Sequence, residues 1–308
     1  TATVENVVFT IGPRINAAGR MGSADKAVEL LLTESEEDAF NLALDLEQIN
    51  GKRRELDQEI QQSAIRQAKE QTSTWAKNSA VLYDPEWHLG VIGIVASRIV
   101  EQFNRPAVMM CDSGPLVKGS ARSIAGISIY QALQKCEDLL EAFGGHDFAA
   151  GLTIKPQNVP EFQRRFDAAV GEALTPGLLT PTRDYDADVS LSDLDARFWA
   201  VLKQFAPHGP QNHTPVFRAR DLRVTGNPHA VGRDDAHLKL CVCQSDGSGE
   251  PFDVIAFRMG DKLPLVQQSV RSGQPLDLLF SLSENHFRGR TTLQLKARDL
   301  RLMEAPMD

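Results

Sequence analysis

Phe143-Gly144-Gly145-His146-Asp147-Phe148-Ala149-Ala150-Gly151 is the stretch from which the rest of this chain is best read. Neither Gly144 nor Gly145 carries a Cβ, so the backbone there can come close to a ligand and can adopt positive φ. The imidazole of His146 can donate to an anionic oxygen, and its charge is adjustable near neutral pH. Ala149, Ala150 and Gly151 keep the following turn thin before Leu152-Thr153-Ile154 starts an apolar alternation that reads as a strand. The reading is a glycine-lined shelf with one polar tooth, suited to a phosphate oxygen. By themselves the same residues also describe a tight turn with a surface histidine, so their company decides.

Working outward, Ile129–Phe143 reads as the helix that delivers this turn, and Val159–Ala173 as the helix that closes the domain. Upstream, Ala80–Tyr83 and Ala107–Cys111 are short apolar strands, and between them the run Trp87–Ile94 leads into a helix through Phe103. Alternating strands and helices over 78–175 predict an α/β domain. Lys118-Gly119-Ser120-Ala121-Arg122-Ser123 reads as a small-residue strand. Ser120 and Arg122, two apart on extended backbone, project to one side, an arrangement suited to gripping an oxyanion. His88, beside Trp87 at a helix entrance, reads as a capping group rather than a phosphate donor.

Nearer the start, Gly12-Pro13-Arg14-Ile15-Asn16-Ala17-Ala18-Gly19-Arg20-Met21-Gly22 holds three glycines, a proline and two arginines around an asparagine. It predicts a sharply bent loop presenting Arg14, Asn16 and Arg20, with guanidinium groups able to grip phosphate in bidentate fashion. So dense a loop at an N-terminus opening on Thr1 suggests that the chain is a piece of something longer. Ser23 and Ser35 are candidate helix caps, and Glu36, Glu37 and Asp38 favour the first turn of a long helix. Leu42, Leu46, Ile49, Leu56, Ile60 and Ala64 make one apolar stripe on it, reaching about Gln71, with a kink or break allowed at Asn50-Gly51. A helix with one stripe reads as a strut between domains.

Beyond Thr175 a proline-rich linker leads to a capped helix over 192–205 and a rigid entrance loop, Ala206–Phe217. Strand-like runs follow at about 216–225, 237–244, 252–258, 276–283 and 291–302, separated by Gly/Asp/Ser turns, which predicts a five-stranded OB-fold-like barrel. Arg218, Arg220, Arg223, Arg288, Arg290, Lys296 and Arg298 are candidates for a track along a single-stranded backbone. Phe217, Phe257 and Phe287 are candidate stacking surfaces, although phenylalanines in a barrel are more often core.

Composition bounds the function. The 308 residues carry a formal net charge of -8, with the acidic excess confined to the first two-thirds, so any nucleic-acid groove is local. No apolar run approaches the roughly 18 residues a membrane helix needs, and no signal peptide opens the sequence. Cys111, Cys136, Cys241 and Cys243 lack paired metal spacing, Cys241 and Cys243 read as small hydrophobes on one face of a strand, and a reducing cytoplasm fits.

Gly12–Gly22, Trp87–Ile94, Gly119–Ser123 and Phe143–Gly151, in this order and spacing, resemble the RecJ family of single-strand-specific 5′→3′ DNA exonucleases, within the DHH phosphoesterase superfamily. The resemblance covers nearly the whole chain and implies the back half of such an enzyme. It implies residues 1–34 as the end of the DHH domain and entrance loop, 35–77 as a connecting helix and 78–175 as a DHHA1 domain. A linker and helix over 176–214 and an OB-fold single-strand-binding domain over 215–308 complete the division. His146 would be catalytic; Arg14, Asn16, Arg20, Ser120, Arg122, Gly144 and Gly145 would hold the substrate phosphate; Arg218, Arg220, Phe287, Arg288, Arg290 and Lys296 would track the strand. The family's catalytic centre binds two divalent ions, Mg²⁺ or Mn²⁺, through a cluster that includes an Asp-His-His run. This sequence has no such run, so no metal ligand is assigned in it and the chain alone is expected to be inactive. The implied partners are single-stranded DNA, a single-strand-binding protein and a helicase, with a monomer and no membrane expected. Two alternatives stay open: a non-catalytic scaffold that binds single strands, and a phosphodiesterase for oligoribonucleotides or cyclic dinucleotides, against which a long track argues.

Overall fold

The computed structural model describes residues 4–74, 77–209, 211–287 and 289–303, and the chain divides into two compact units, Thr1–Pro181 and Thr182–Asp308.

In the first unit a short helix α1 (Val4–Asn6) and a π-helical turn (Val7–Ile11) run into helix α2 (Gly12–Met21). The Gly12–Gly22 stretch is therefore helical, not the bent loop that its glycines suggested. Pro13 sits in the first turn, where its fixed φ is compatible with a helix and its missing N–H costs nothing. Ala17 and Ala18 are buried, and Ala18 packs with Leu46. Helix α3 (Asp25–Leu32) follows, then α4 (Glu36–Thr74), 39 residues and about 60 Å long at 1.5 Å per residue. Ser35 caps α4 by accepting from the Asp38 N–H at 3.2 Å. There is no break at Asn50-Gly51; Asn50 is buried and accepts from Arg53, one turn on, at 2.9 Å. Nor is α4 a bare strut. Ile60, Ala64 and Ala68 are core residues shared with helix α5 (Leu89–Phe103) and with Ala80, Leu82, Ala107 and Met109 of the sheet.

That sheet contains β1 (Ala80–Tyr83), β2 (Ala107–Ser113), β3 (Leu116–Arg122), β4 (Leu140–His146) and β5 (Ala149–Ile154), in the order β1-β2-β3-β5-β4. Only the β1–β2 pairing is parallel. Helices α6 (Ile129–Gln134) and α7 (Val159–Ala173) cover the other face through Leu133, Phe162, Phe166 and Val170. The helix expected over Ile129–Phe143 stops at Gln134. A 3-10 turn (Glu137–Leu139) follows, and the chain then enters edge strand β4, so Gly144-Gly145 lie in a ladder opposite Gly151 and Ala150.

The second unit holds β6 (Ala187–Asp188), helix α8 (Ala196–Leu202), β7 (Phe217–Val231), β8 (His237–Gln244), β9 (Phe252–Ala256), helix α9 (Leu263–Ser272), β10 (Leu276–Phe287) and β11 (Arg290–Leu302). Pairings run β7–β8–β9–β11–β10 and return from β10 to β7, with β9 and β11 sharing only two rungs. Ala219, Leu240, Val254, Leu278, Phe280 and Leu295 fill the interior. Of the residues read as linker and separate helix, those from Thr182 onward belong to this unit: β6 pairs with β7, and Phe198 of α8 meets Phe217 edge-on at 5.5 Å. Asp195 caps α8 by accepting from the Phe198 N–H at 2.7 Å, so the helix starts later than Ser192. No helix among the described residues is long and apolar enough to cross a membrane.

Candidate functional site

Strand pairing fixes which side chains share a face. Ser120, Gly151 and Gly144 form one row across β3, β5 and β4, and Arg122, Ala149 and His146 form the next. Ala121, Ala150 and Leu152 point the other way, into the core. α5 covers the β3 end of the first face: a Cβ added to Gly93 would stand 3.0 Å from Ser120 Oγ and 3.2 Å from Arg122 Nη2. Beyond it lies a shelf whose floor is Gly151, Ala149 and Gly144, with Gly144, Gly151 and His146 exposed. Gly144 and Gly145, read from sequence as a turn, lie in paired strands instead.

Arg122 is half-buried and donates to Ser120 Oγ at 3.0 Å and to its neighbour's carbonyl, Ala121 O, at 2.8 Å. Among the described residues no carboxylate pairs with it. Burial, reinforced by the charge of Arg20, pulls its guanidinium below the ordinary arginine value. Arg20 reaches the site because the end of α2 abuts the start of α5, where Gly90 leaves no room for a Cβ against Arg20 O. Its guanidinium donates to Gly90 O at 3.2 Å. Arg122 and Arg20 are thus close enough to perturb each other, and neither pairs with a carboxylate among the described residues.

His146 sits at the end of β4 in a pinned turn. Asp147 Oδ1 accepts from Ser128 Oγ at 2.5 Å, and Phe148 O accepts from the Ser123 N–H at 3.0 Å. His146 Nδ1 accepts from the Phe148 N–H at 3.4 Å, so the neutral ring carries its proton on Nε2 as a free donor. His88 caps α5, its Nδ1 accepting from the Gly90 N–H at 3.1 Å.

The two glycines differ. Gly145 has φ of +146°, and a Cβ on it would lie 2.4 Å from Ala149 O and 2.5 Å from Ala150 Cα. It is glycine because its own partner strand fills the space. Gly144 has nothing within 4 Å of its Cβ position and borders the open shelf. Arg14 does not join the site, being ion-paired with Glu47 of α4 and donating to Thr10 O at 2.6 Å. Asn16 is exposed on α2.

Sequence reading missed the polar node that clamps α4 to α5. Asp57, 2% exposed, receives a bidentate grip from Arg98 at 2.8 Å on both oxygens and a third bond from Arg53 at 3.2 Å. Arg98 also donates to Gln61 at 2.7 Å. Burial, partly offset by Asp57, lowers the Arg53 guanidinium, with Arg54, Arg98 and Arg20 adding repulsion. Arg98 is 41 residues from Asp57, so no local pattern announces the pair.

On the second unit the predicted track divides. Arg218 is held by Asp188 at 2.6 and 2.8 Å and lies over the Tyr185 ring at 4.2 Å; Arg220 reaches the same carboxylate at 3.5 Å. The Arg218 hydrogen bonds hold Asp188 below the usual carboxylate range. Phe217 is core, packed on Phe198 and Phe280. The Phe287 side chain and Arg288 lie outside the described residues. Arg223, on β7, donates to Ser245 O at 2.8 Å, whereas Phe257, Lys296 and Arg290 gather on the outer face of β8, β9 and β11. Lys239 and Lys296 both stand opposite Ile255 in the ladder, and Lys296 Nζ lies 5.2 Å from the Phe257 ring. His237 meets that ring edge-on at 5.2 Å, and Phe257 is 48% exposed. Lys239 and Phe257, with Arg290, Gln294 and Asp253, line a groove of about 480 Å³. An exposed ring among lysines and an arginine can stack on a base while the cations meet phosphates.

Comparison with known proteins bears on both surfaces. A DHHA1 domain model matches residues 76–172, and a RecJ OB domain model matches residues 185–299. The chain carries the DHHA1 and RecJ OB domains. It is 30% identical over 305 residues to the single-stranded-DNA-specific exonuclease RecJ of Bacillus subtilis, covering 98% of this chain and 38% of that one. Against RecJ of Salmonella typhimurium the identity is 35% over 299 residues, 95% of this chain and 50% of the relative. Among solved structures, RecJ of Thermus thermophilus in complex with Mg²⁺ superposes with a TM-score of 0.81 at 31% identity, over 99% of this chain and 45% of that one. The Mn²⁺ complex of RecJ from the same organism gives 0.80 at 32% identity, over 99% and 42%. The chain thus spans about half the length, or less, of these RecJ relatives. The RecJ OB match begins at residue 185, which agrees with β6 and α8 belonging to the barrel's unit.

Proposed function

We propose that this chain is the strand-holding portion of a single-strand-specific 5′→3′ DNA exonuclease acting in DNA repair and recombination. The observation that carries it is the juxtaposition of Arg122, Ser120 and Arg20, without a paired carboxylate among the described residues, beside a glycine-floored shelf that ends at a tautomer-fixed His146. In this reading Arg20, Ser120 and Arg122 hold a phosphate of the 5′ end. His146 donates from Nε2 to the phosphate oxygen that gains charge as the bond is cut. The outer face of β8, β9 and β11, with Phe257, Lys239, Lys296 and Arg290, receives the strand. This face, rather than Arg218 and Arg220, is the track.

The matched RecJ structures are complexes with Mg²⁺ or Mn²⁺. No group of three His, Cys, Asp or Glu side chains among the described residues fits such an ion, so no step through a metal is derived from this chain. We assign the ions, and the hydrolytic water they would activate, to a DHH domain outside this sequence, with residues 1–34 as its end. A cytoplasmic monomer working with a helicase and a single-strand-binding protein completes the proposal.

The test is equilibrium binding and cleavage on this chain. It should bind single-stranded DNA more tightly than duplex. The logarithm of the affinity should fall linearly with the logarithm of salt, since each neutralised phosphate releases counterion. It should release no nucleotide with Mg²⁺ or Mn²⁺. Equal affinity for duplex, or a flat salt dependence, refutes the track; cleavage by the pure chain refutes the assignment of the metals elsewhere. In enzyme carrying the DHH domain, His146→Ala should lower kcat on the order of 100-fold with strand affinity nearly intact.

A further inference from the structure

A groove of the second unit shares no lining residue with the Lys239–Phe257–Arg290 face. It has a volume of about 840 Å³ and runs between α8 and the Ala206–Pro215 loop. Phe198, Leu202 and Phe217 line it, and Val201 and Phe205, 50% and 56% exposed, stand at its mouth. Its walls are fixed. Asn212 donates to Phe205 O and Pro207 O, both at 2.9 Å, Gly209 and Asn212 bridge, and Asp195 caps α8. Three carboxylates, Asp186, Asp193 and Asp195, edge it against one arginine, Arg197.

That combination excludes one class of occupant and favours another. A nucleic-acid backbone would meet three carboxylates and a mostly apolar wall, so the groove is no continuation of the strand track. An apolar segment flanked by lysine or arginine would bury Val201 and Phe205 and meet opposite charge at the rim. We infer that this groove docks a basic, amphipathic segment of a partner protein, through large apolar side chains placed between α8 and the 206–215 loop. The inference is independent of the nucleic-acid reading, because the two surfaces share no residue.

The test uses the whole 308-residue chain and three fluorescein-labelled peptides. The first is a designed helix with Leu at i, i+3, i+4 and i+7 and Lys elsewhere. In the second Glu replaces Lys, and in the third Ala replaces Leu. Fluorescence anisotropy should show the Leu/Lys peptide binding at least about tenfold more tightly than either control, the difference expected for loss of a buried anchor or reversal of rim charge. Val201→Lys and Phe205→Ser, both at exposed positions, should each weaken it by about tenfold or more while leaving melting and single-strand binding unchanged. A saturating oligo-dT should not compete. Equal binding of the Ala peptide, binding unaffected by both substitutions, or displacement by oligo-dT each overturns the proposal. Displacement in particular would make the groove part of the nucleic-acid surface.

Discussion

Gly144 and Gly145 look alike in sequence and should behave oppositely when each is replaced by alanine. At Gly145 the added methyl would lie 2.4 Å from Ala149 O and 2.5 Å from Ala150 Cα, both backbone atoms of the partner strand, at a φ of +146°. Backbone cannot step aside as a flexible side chain can. Holding a non-glycine residue there costs about 1–3 kcal/mol, and the overpacking adds about 1–3 kcal/mol, so Gly145→Ala should destabilise the first unit by about 2–6 kcal/mol. At about 2–4 °C per kcal/mol for a unit of this size, its melting temperature should fall by at least about 4 °C. Gly144→Ala meets nothing within 4 Å and needs no positive φ. A strand gains about 0.5–1 kcal/mol from alanine in place of glycine, so melting should hold or rise. Its methyl instead stands on the shelf floor, in the row of Ser120 and beside His146. Obstructing one charge-assisted contact there, worth about 1.5–3 kcal/mol, should weaken binding of 5′-phosphorylated single-stranded DNA by about tenfold or more. The assays are differential scanning calorimetry of both variants and fluorescence binding with a 5′-phosphorylated oligonucleotide. Wild-type melting for Gly145→Ala would refute the steric argument. Wild-type binding for Gly144→Ala would show that the shelf floor touches no ligand.

Asp57→Asn leaves Arg53 and Arg98 partly buried without a counter-charge, and breaking such a pair costs about 3–5 kcal/mol, to be read from denaturant unfolding. Phe257→Ala should weaken single-strand binding by about 1–3 kcal/mol with little change in stability, because the ring is half exposed. Lys296→Ala should lower the salt slope by about one. Asp188 has a folded pKa below its unfolded value near 3.9, so its stabilising contribution is complete above about pH 4 and is lost as the pH falls through the lower folded value. Melting of the second unit followed from about pH 6 to about pH 3 should therefore show a loss at the acid end that Asp188→Asn reduces.

What the sequence made legible follows from the range of the forces involved. The five long strands of the second unit were readable because alternation with a period of two is written locally, and Leu238, Leu240 and Val242 show it as buried residues on one side of β8. Ser120 and Arg122 were placed on one side of a strand by the same rule. Failures came where a distant partner decides. Arg14 and Arg20 are equivalent in sequence, but Glu47, 33 residues away, neutralises the first and leaves the second at the shelf. Three glycines and a proline made Gly12–Gly22 look like a loop, while packing of Ala18 against Leu46 makes it helix. The run after Gln134 carries a helical pattern, yet pairing of Ala142–His146 with β5 draws it into the sheet.

Pairing with carboxylates also sorts the cations by what they can do. Arg14, Arg98 and Arg218 each already hold one, so a phosphate arriving at any of them would have to displace a formed ion pair. Arg122 has no such competitor among the described residues and is half-buried, which costs stability because burial disfavours its charged form. Its hydrogen bonds to Ser120 Oγ and Ala121 O satisfy only one of its terminal nitrogens. A guanidinium kept in that state at the edge of a glycine floor, with a second arginine repelling it, is stabilised most by an incoming anion. A structural arginine would be stabilised by a carboxylate supplied from its own chain. The same contrast separates Lys296, which lies against the Phe257 ring and pairs with no carboxylate among the described residues, from Arg218, and it favours a strand on β8, β9 and β11 rather than along β7.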